Sequence, residues 1–140
     1  MAELLSVEGS IDLLNATLTE NDLTQLKDLA GLKYLCLAGT NMIDAWMPHL
    51  SGLKELERLW LTGTRISDAG LAHLVGCDNL QSLMLGNTRV TDAAVEHLKR
   101  LPALRYLFRY QTGITDAAVN ELRRTHPNLG TTLQLDEQRS

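Results

Sequence analysis

No block of lysine and arginine, no long apolar run and no cysteine framework occurs in this chain. Each absence excludes something. Without a basic block, nothing points to nucleic acid or to an anionic membrane. No stretch approaches the roughly 20 apolar residues of a membrane span. Two cysteines, Cys36 and Cys77, are too few for a disulfide framework. The start, Met1 to Glu8, has neither a basic n-region nor a long apolar core, so no secretory signal is expected. A cytoplasmic protein with reduced thiols is the resulting expectation. Catalytic signatures are also missing: no Gly-rich phosphate loop, no Ser-His-Asp spacing and no paired-Cys metal motif stands in the sequence. Neither a cofactor nor a catalytic residue is therefore expected.

What is present is apolar and regular. Hydrophobic residues make up 44% of the 140 and the formal charge is only -4, the opposite of a disordered composition. Charge is uneven: residues 1–70 carry 5 basic and 10 acidic side chains, residues 71–140 carry 8 and 7.

The apolar residues recur every 24 positions. Leu35, Leu59, Leu83 and Leu107 form one column, and Leu37, Leu61 and Leu85 the next. Thr40, Thr64, Thr88 and Thr112 follow, then Met42, Ile66, Val90 and Ile114, then Asp44, Asp68, Asp92 and Asp116. Leu50, Leu74, Leu98 and Leu122 close the units that Leu32, Leu56, Leu80 and Leu104 open. A fainter unit precedes them, from Ile11 to Leu29. A partial one follows, with Leu129, Leu133 and Leu135 and one residue inserted.

Each unit reads as strand, turn and helix. Leu-x-Leu has the period of a strand. Ser67-Asp68, Thr91-Asp92 and Thr115-Asp116 read as helix N-caps, whose oxygens accept from free backbone N–H groups. Pro102 and Pro127 fall between units, where a helix must stop. One unit cannot bury its own apolar face, but stacked units share a continuous core. The expected domain is single: residues 1–31 as cap and first repeat, 32–127 as four regular repeats, and 128–140 as a last strand, Leu133 to Leu135, with a tail.

The run Leu56 to Leu74 nearly completes the pattern Leu-x-x-Leu-x-Leu-x-x-Thr-x-Ile-Thr-Asp-Ala-Gly-Leu-x-x-Leu. It resembles the leucine-rich-repeat family, and looks like the 24-residue repeats common in bacterial proteins. It is similar also to the repeats of ribonuclease inhibitor and of F-box adaptors. The resemblance implies an α/β right-handed solenoid of about five repeats, with a parallel sheet on its concave side and short helices on its convex side. It says little of function, because such folds serve many roles.

Side chains alternate across a strand. With Leu35 and Leu37 inward, three columns point outward: Ser10, Tyr34, Arg58, Ser82, Tyr106; Asp12, Cys36, Trp60, Met84, Phe108; and Leu14, Ala38, Thr62, Gly86, Tyr110. Five of the six aromatic residues fall there: Tyr34, Trp60, Tyr106, Phe108 and Tyr110. Strands lie about 4.8 Å apart, so Trp60, Met84 and Phe108 make an apolar ridge roughly 10 Å long. Arg58 and Arg105 flank it. Aromatics, Met and Arg are the composition of an interface core. The expected site is thus a protein- or peptide-binding face of Tyr34, Cys36, Arg58, Trp60, Met84, Arg105, Tyr106, Phe108 and Tyr110. Other readings stand beside it. Aromatics favour strands in any case, two copies could close concave face on concave face as a homodimer, and the chain could be an assembly subunit acting through its ends.

Arg109 breaks the column of Leu37, Leu61 and Leu85. Either the core thins there and the head reaches water, or a bulge redirects Tyr110 or Phe108. His49, His73 and His97 recur with Glu121 in fourth place. Packed helices lie about 8–10 Å apart, while Zn–N bonds are about 2.0–2.1 Å, so this ladder reads as a solvated helix position and no metal is expected. Cys77 sits in a core column. Cys36 faces outward, with no His on its strand or the adjacent ones.

Overall fold

The computed structural model describes residues 6–131 apart from residue 8. Seven strands form one sheet in chain order: β1 (Ser6–Val7), β2 (Ser10–Asp12), β3 (Tyr34–Cys36), β4 (Arg58–Trp60), β5 (Ser82–Met84), β6 (Tyr106–Phe108) and β7 (Gly130–Thr131). The strands from β2 to β7 are parallel, and β1 pairs antiparallel with β2 at the edge. Each parallel pairing joins residues 24 apart, as in Leu35↔Leu59↔Leu83↔Leu107. Helical segments connect the strands: α1 (Glu20–Leu26), a 3₁₀ helix over Asp44–Leu50, α2 (Asp68–Leu71) running on as 3₁₀ over Ala72–Leu74, a 3₁₀ turn at Asp92–Ala94 leading into α3 (Val95–Leu98), and α4 (Asp116–Leu122). This is the α/β solenoid that the resemblance to leucine-rich repeats implies.

The core lies between sheet and helices. Leu35, Leu59, Leu83 and Leu107 are at most 1% exposed, and Met42, Ile66, Val90, Leu50 and Leu74 are fully buried. Cys77 belongs to this core. Among the described residues no helix is long and apolar enough to cross a membrane.

Polar ladders join the rungs. Each Thr of the turn column donates its hydroxyl three residues back: Thr40 to Leu37 O, Thr64 to Leu61 O, Thr88 to Leu85 O and Thr112 to Arg109 O, at 2.6–2.7 Å. The residue before each Thr turns left-handed, with φ of 69° at Gly39, 74° at Gly63, 53° at Asn87 and 57° at Gln111. Glycine and asparagine tolerate that conformation. Gln111 is the exception.

The Asp column behaves differently from a simple cap. Thr91 and Thr115 do cap their own helices, accepting from Ala93 N and Ala118 N, whereas Ser67 makes no such bond. The aspartates instead reach the next repeat. Asp68 accepts from the Thr91 N–H at 2.7 Å and hydroxyl at 2.6 Å, and Asp92 accepts from Thr115 at 2.7 and 2.8 Å. Asp44 holds the Ser67 N–H at 2.9 Å and its hydroxyl more closely still. Each carboxylate is thus a staple between repeats. Ile43 has no hydroxyl to offer the first unit. There Asn41 bridges instead, through Leu18 N at 2.7 Å and Leu18 O at 2.8 Å.

The C-terminal end departs from the simple repeat. The inserted residue is taken up where α4 finishes. His126 N donates to Leu122 O, four residues back, whereas the preceding unit closes Leu101 N onto Leu98 O, three back. His126 and Leu129 are buried one place later than the repeat would put them, yet the sheet regains its register at Gly130. The following strand is therefore Gly130–Thr131; Leu133 and Leu135 lie outside the described residues. Both ring nitrogens of His126 have partners, Nε2 lying 2.8 Å from Leu101 O and Nδ1 2.8 Å from the Thr125 hydroxyl.

At Arg109 the bulge reading fails. The ladder runs on without a bulge, with Leu85 N donating to Phe108 O and Asn87 N to Tyr110 O. The Arg109 side chain is 11% exposed, and its head ends on an exposed carboxylate: Nη1 donates to Ile114 O at 2.9 Å and Nη2 to Asp116 Oδ1 at 2.5 Å. Its Nε is buried without a partner. Replacing a buried charge by a hydrophobic residue of similar volume is often neutral or stabilising. Asp116, 84% exposed, returns to water at little cost. Arg109→Leu is expected to raise the unfolding free energy by about 1 kcal/mol, read from the urea midpoint; a lower midpoint would mean that the pairing outweighs the burial.

Candidate functional site

The sheet face turned away from the helices collects the exposed apolar side chains. Among the described residues six large apolar side chains are exposed: Leu14 (58%), Tyr34 (39%), Trp60 (43%), Val75 (37%), Tyr106 (43%) and Tyr110 (50%). All but Val75 stand in the outward columns of the sheet. The cause is local. A Leu-x-Leu strand with both leucines buried turns the residues between and beside them to the other face.

The pairing Cys36↔Trp60↔Met84↔Phe108 sets these four side by side across the sheet, and Tyr34↔Arg58↔Ser82↔Tyr106 forms the neighbouring row. The relief differs from a simple ridge. Trp60 is exposed, while Met84, Phe108 and Cys36 are half-buried. Ser82 and Gly86 on and after β5 are buried. An added Cβ at Gly86 would lie 3.3 Å from Tyr110 O and 3.5 Å from the Thr62 methyl, so the neighbours close over it. The face therefore has high points on β4 and β6 and a low centre on β5. Leu14, its most exposed apolar residue, is absent from the expected site, although it shares a column with Tyr110.

Arg58 and Arg105 are exposed and lie against aromatic rings. The Arg58 guanidinium carbon is 5.1 Å from the Tyr34 ring centre, and that of Arg105 is 5.8 Å from the Tyr106 ring centre. Both distances are within cation–π range. A depression of about 220 Å³ opens on this face, lined by Tyr34, Cys36, Arg58 and Trp60 together with Ser10 and Asp12. Burial pushes the Cys36 thiol up, and the charge of Asp12 adds to this. A nucleophilic cysteine needs the opposite shift.

The histidine column does not converge on a common site. His49 Nε2 meets Glu20 at 3.2 Å. Glu121 accepts from Lys99 at 2.8 Å, and Lys99 also reaches Glu96 at 3.1 Å. The hydrogen bond from Lys99 holds the Glu121 carboxyl down, and the same bond raises Lys99. Among the described residues no three His, Cys, Asp or Glu side chains gather closely enough to hold a metal ion.

Fold and repeat together make this chain a leucine-rich-repeat protein. Solved structures agree. It matches an internalin from Listeria monocytogenes with a TM-score of 0.71 and 25% identity, over 88% of this chain and 34% of that one. A second internalin of the same bacterium matches with a TM-score of 0.58 at 24% identity, over 88% of this chain and 69% of that one. The tropomodulin C-terminal domain of Caenorhabditis elegans superposes with a TM-score of 0.63 at 13% identity, over 98% and 90% of the two chains. The chain thus spans about a third of the first internalin. No family model matches the sequence, and no curated protein matches it. Solenoids of this kind use their extended concave surfaces for binding.

Proposed function

We propose that this chain is a non-enzymatic interaction module that holds a protein or peptide on its concave sheet face, centred on Trp60 and extending to Phe108, Tyr106 and Tyr110. One observation carries the reading: five of the six exposed large apolar side chains among the described residues share that face. Monomeric proteins rarely leave such patches uncovered unless something binds there. The raised Cys36 thiol supports a binding rather than a chemical role. A cytoplasmic setting is part of the same proposal and rests on two free thiols, Cys36 and Cys77.

The test is Trp60→Ala together with Phe108→Ala. Partner capture from native extract should be lost, with circular dichroism and melting close to wild type because the Leu columns are untouched. Capture that persists in the folded double variant would move the binding surface elsewhere on the solenoid.

A further inference from the structure

We propose that the partner on this face is an extended acidic protein segment carrying a bulky apolar residue. Its carboxylates would meet Arg58 and Arg105, and its apolar side chain would enter the depression beside Trp60. The inference rests on the reading of the concave face as a binding surface, and it specifies the chemistry of what binds.

Charge is the first ground. Of the fifteen outward positions from Ser10 to Tyr110, only Asp12 and Arg58 are charged; Arg105 stands beside them, next to Tyr106. The chain as a whole is acidic, at -4, yet of the eight described arginines only Arg109 and Arg124 hold a carboxylate. Arg58 and Arg105 have none among the described residues and lie on aromatic rings instead. A ring holds a guanidinium by its flat face and leaves the N–H edge free for a carboxylate fork.

Charge also has a direction across the sheet. Asp12 is on β2, and its carboxylate already accepts from Leu14 N at 3.0 Å. Arg58 is two strands further along, roughly 10 Å away at the spacing of strands. Arg105 precedes β6. The row of Arg105 also carries Lys33 before β3 and Glu57 before β4, so the face is negative at β2 and carries a net +2 over Lys33, Glu57, Arg58 and Arg105. An acidic segment would settle over the latter and be repelled at the former.

Shape is the second ground. Small-molecule pockets are usually about 300–1,000 Å³, and this depression of about 220 Å³ is smaller and suits one side chain. Its wall is Trp60 and Tyr34, which favours an aliphatic or aromatic visitor. The low centre at Ser82 and Gly86 lets a chain pass between Trp60 and Tyr106 without displacing either. Two arginines do not make a phosphate track, which sets a single-stranded nucleic acid behind a peptide despite the stacking rings.

The full chain would be panned against a displayed library of random 12-residue peptides, and enriched sequences remade synthetically. Enrichment of Asp or Glu beside a bulky apolar residue is expected, and affinity should fall about tenfold in Arg58→Gln and again in Arg105→Gln, as for lost charge-assisted bonds. Raising the salt concentration should weaken the same peptides. Peptides without acidic bias, lost in Trp60→Ala but indifferent to both arginine variants, would overturn the acidic chemistry and leave the binding face standing. Failure to enrich any peptide, or binding indifferent to all three substitutions, would overturn both readings. Binding of a 12-nucleotide oligothymidine more tightly than any selected peptide would overturn the inference in favour of nucleic acid.

Discussion

Leu83→Ala should lower the unfolding free energy by about 3 to 4 kcal/mol, within the range measured for buried leucines. Leu83 is fully buried at the middle of β5, with Leu59 and Leu107 directly beside it in the sheet. Those neighbours are held by parallel strands on both sides, so the cavity cannot collapse and its full cost is felt. Domains are stable by only about 5–15 kcal/mol, so this one truncation removes a large part of the margin. In a solenoid each repeat contacts only its neighbours. A break at the central repeat separates the units on either side and should lower the cooperativity of unfolding as well as its midpoint. Urea unfolding followed by circular dichroism measures both. Leu14→Ala is the control: 58% exposed, it should change stability by less than about 0.5 kcal/mol. Equal effects at the two positions would contradict the assignment of core and outward columns.

Asp44→Ala should cost about 2 to 3 kcal/mol, the scale of lost hydrogen bonds to a charged group with a donor left unmade. Its carboxylate takes both the backbone N–H and the hydroxyl of Ser67, one repeat on. Removing it leaves the part-buried Ser67 N–H without its carboxylate acceptor. The site is tightly built, because a side chain at Gly70 would run into the Asp44 carboxylate and the Met47 side chain. A double-mutant cycle with Ser67→Ala isolates the staple. The expected outcome is strong non-additivity, since either substitution breaks the hydroxyl contact. Additive losses would reduce Asp44 to an ordinary acidic residue in a first helical turn.

Much of this was legible along the chain. Column agreement at a spacing of 24 places Leu35, Leu59, Leu83 and Leu107 inward, and the sheet pairs them in that register. The same count places Trp60 and Tyr110 outward, and both are exposed. Hydrogen-bond partners were less legible. The Asp column reads locally as helix capping, and the acceptors do serve backbone N–H groups, but those of the neighbouring repeat. A residue 23 positions away is invisible to a local rule. Arg109 is similar. In sequence it is a fault in a leucine column; in space it lies near Asp116, whose carboxylate it holds.

Exposure on the binding face was legible only in part. Alternation in a strand determines which way each side chain starts, and hence which residues face the core and which face the sheet's open side. That much the sequence determined, together with the repeat and the fold that follows from stacking it. Only the tertiary structure decided how far each outward residue reaches solvent. Ser82 and Gly86 are small and lie between larger neighbours, so they are covered, and Met84 and Phe108 are half-buried. Trp60 and Leu14 stand clear. Direction is set within a strand by covalent geometry, but exposure is set by the sizes of side chains on the strands to either side, and those come from repeats 24 residues away.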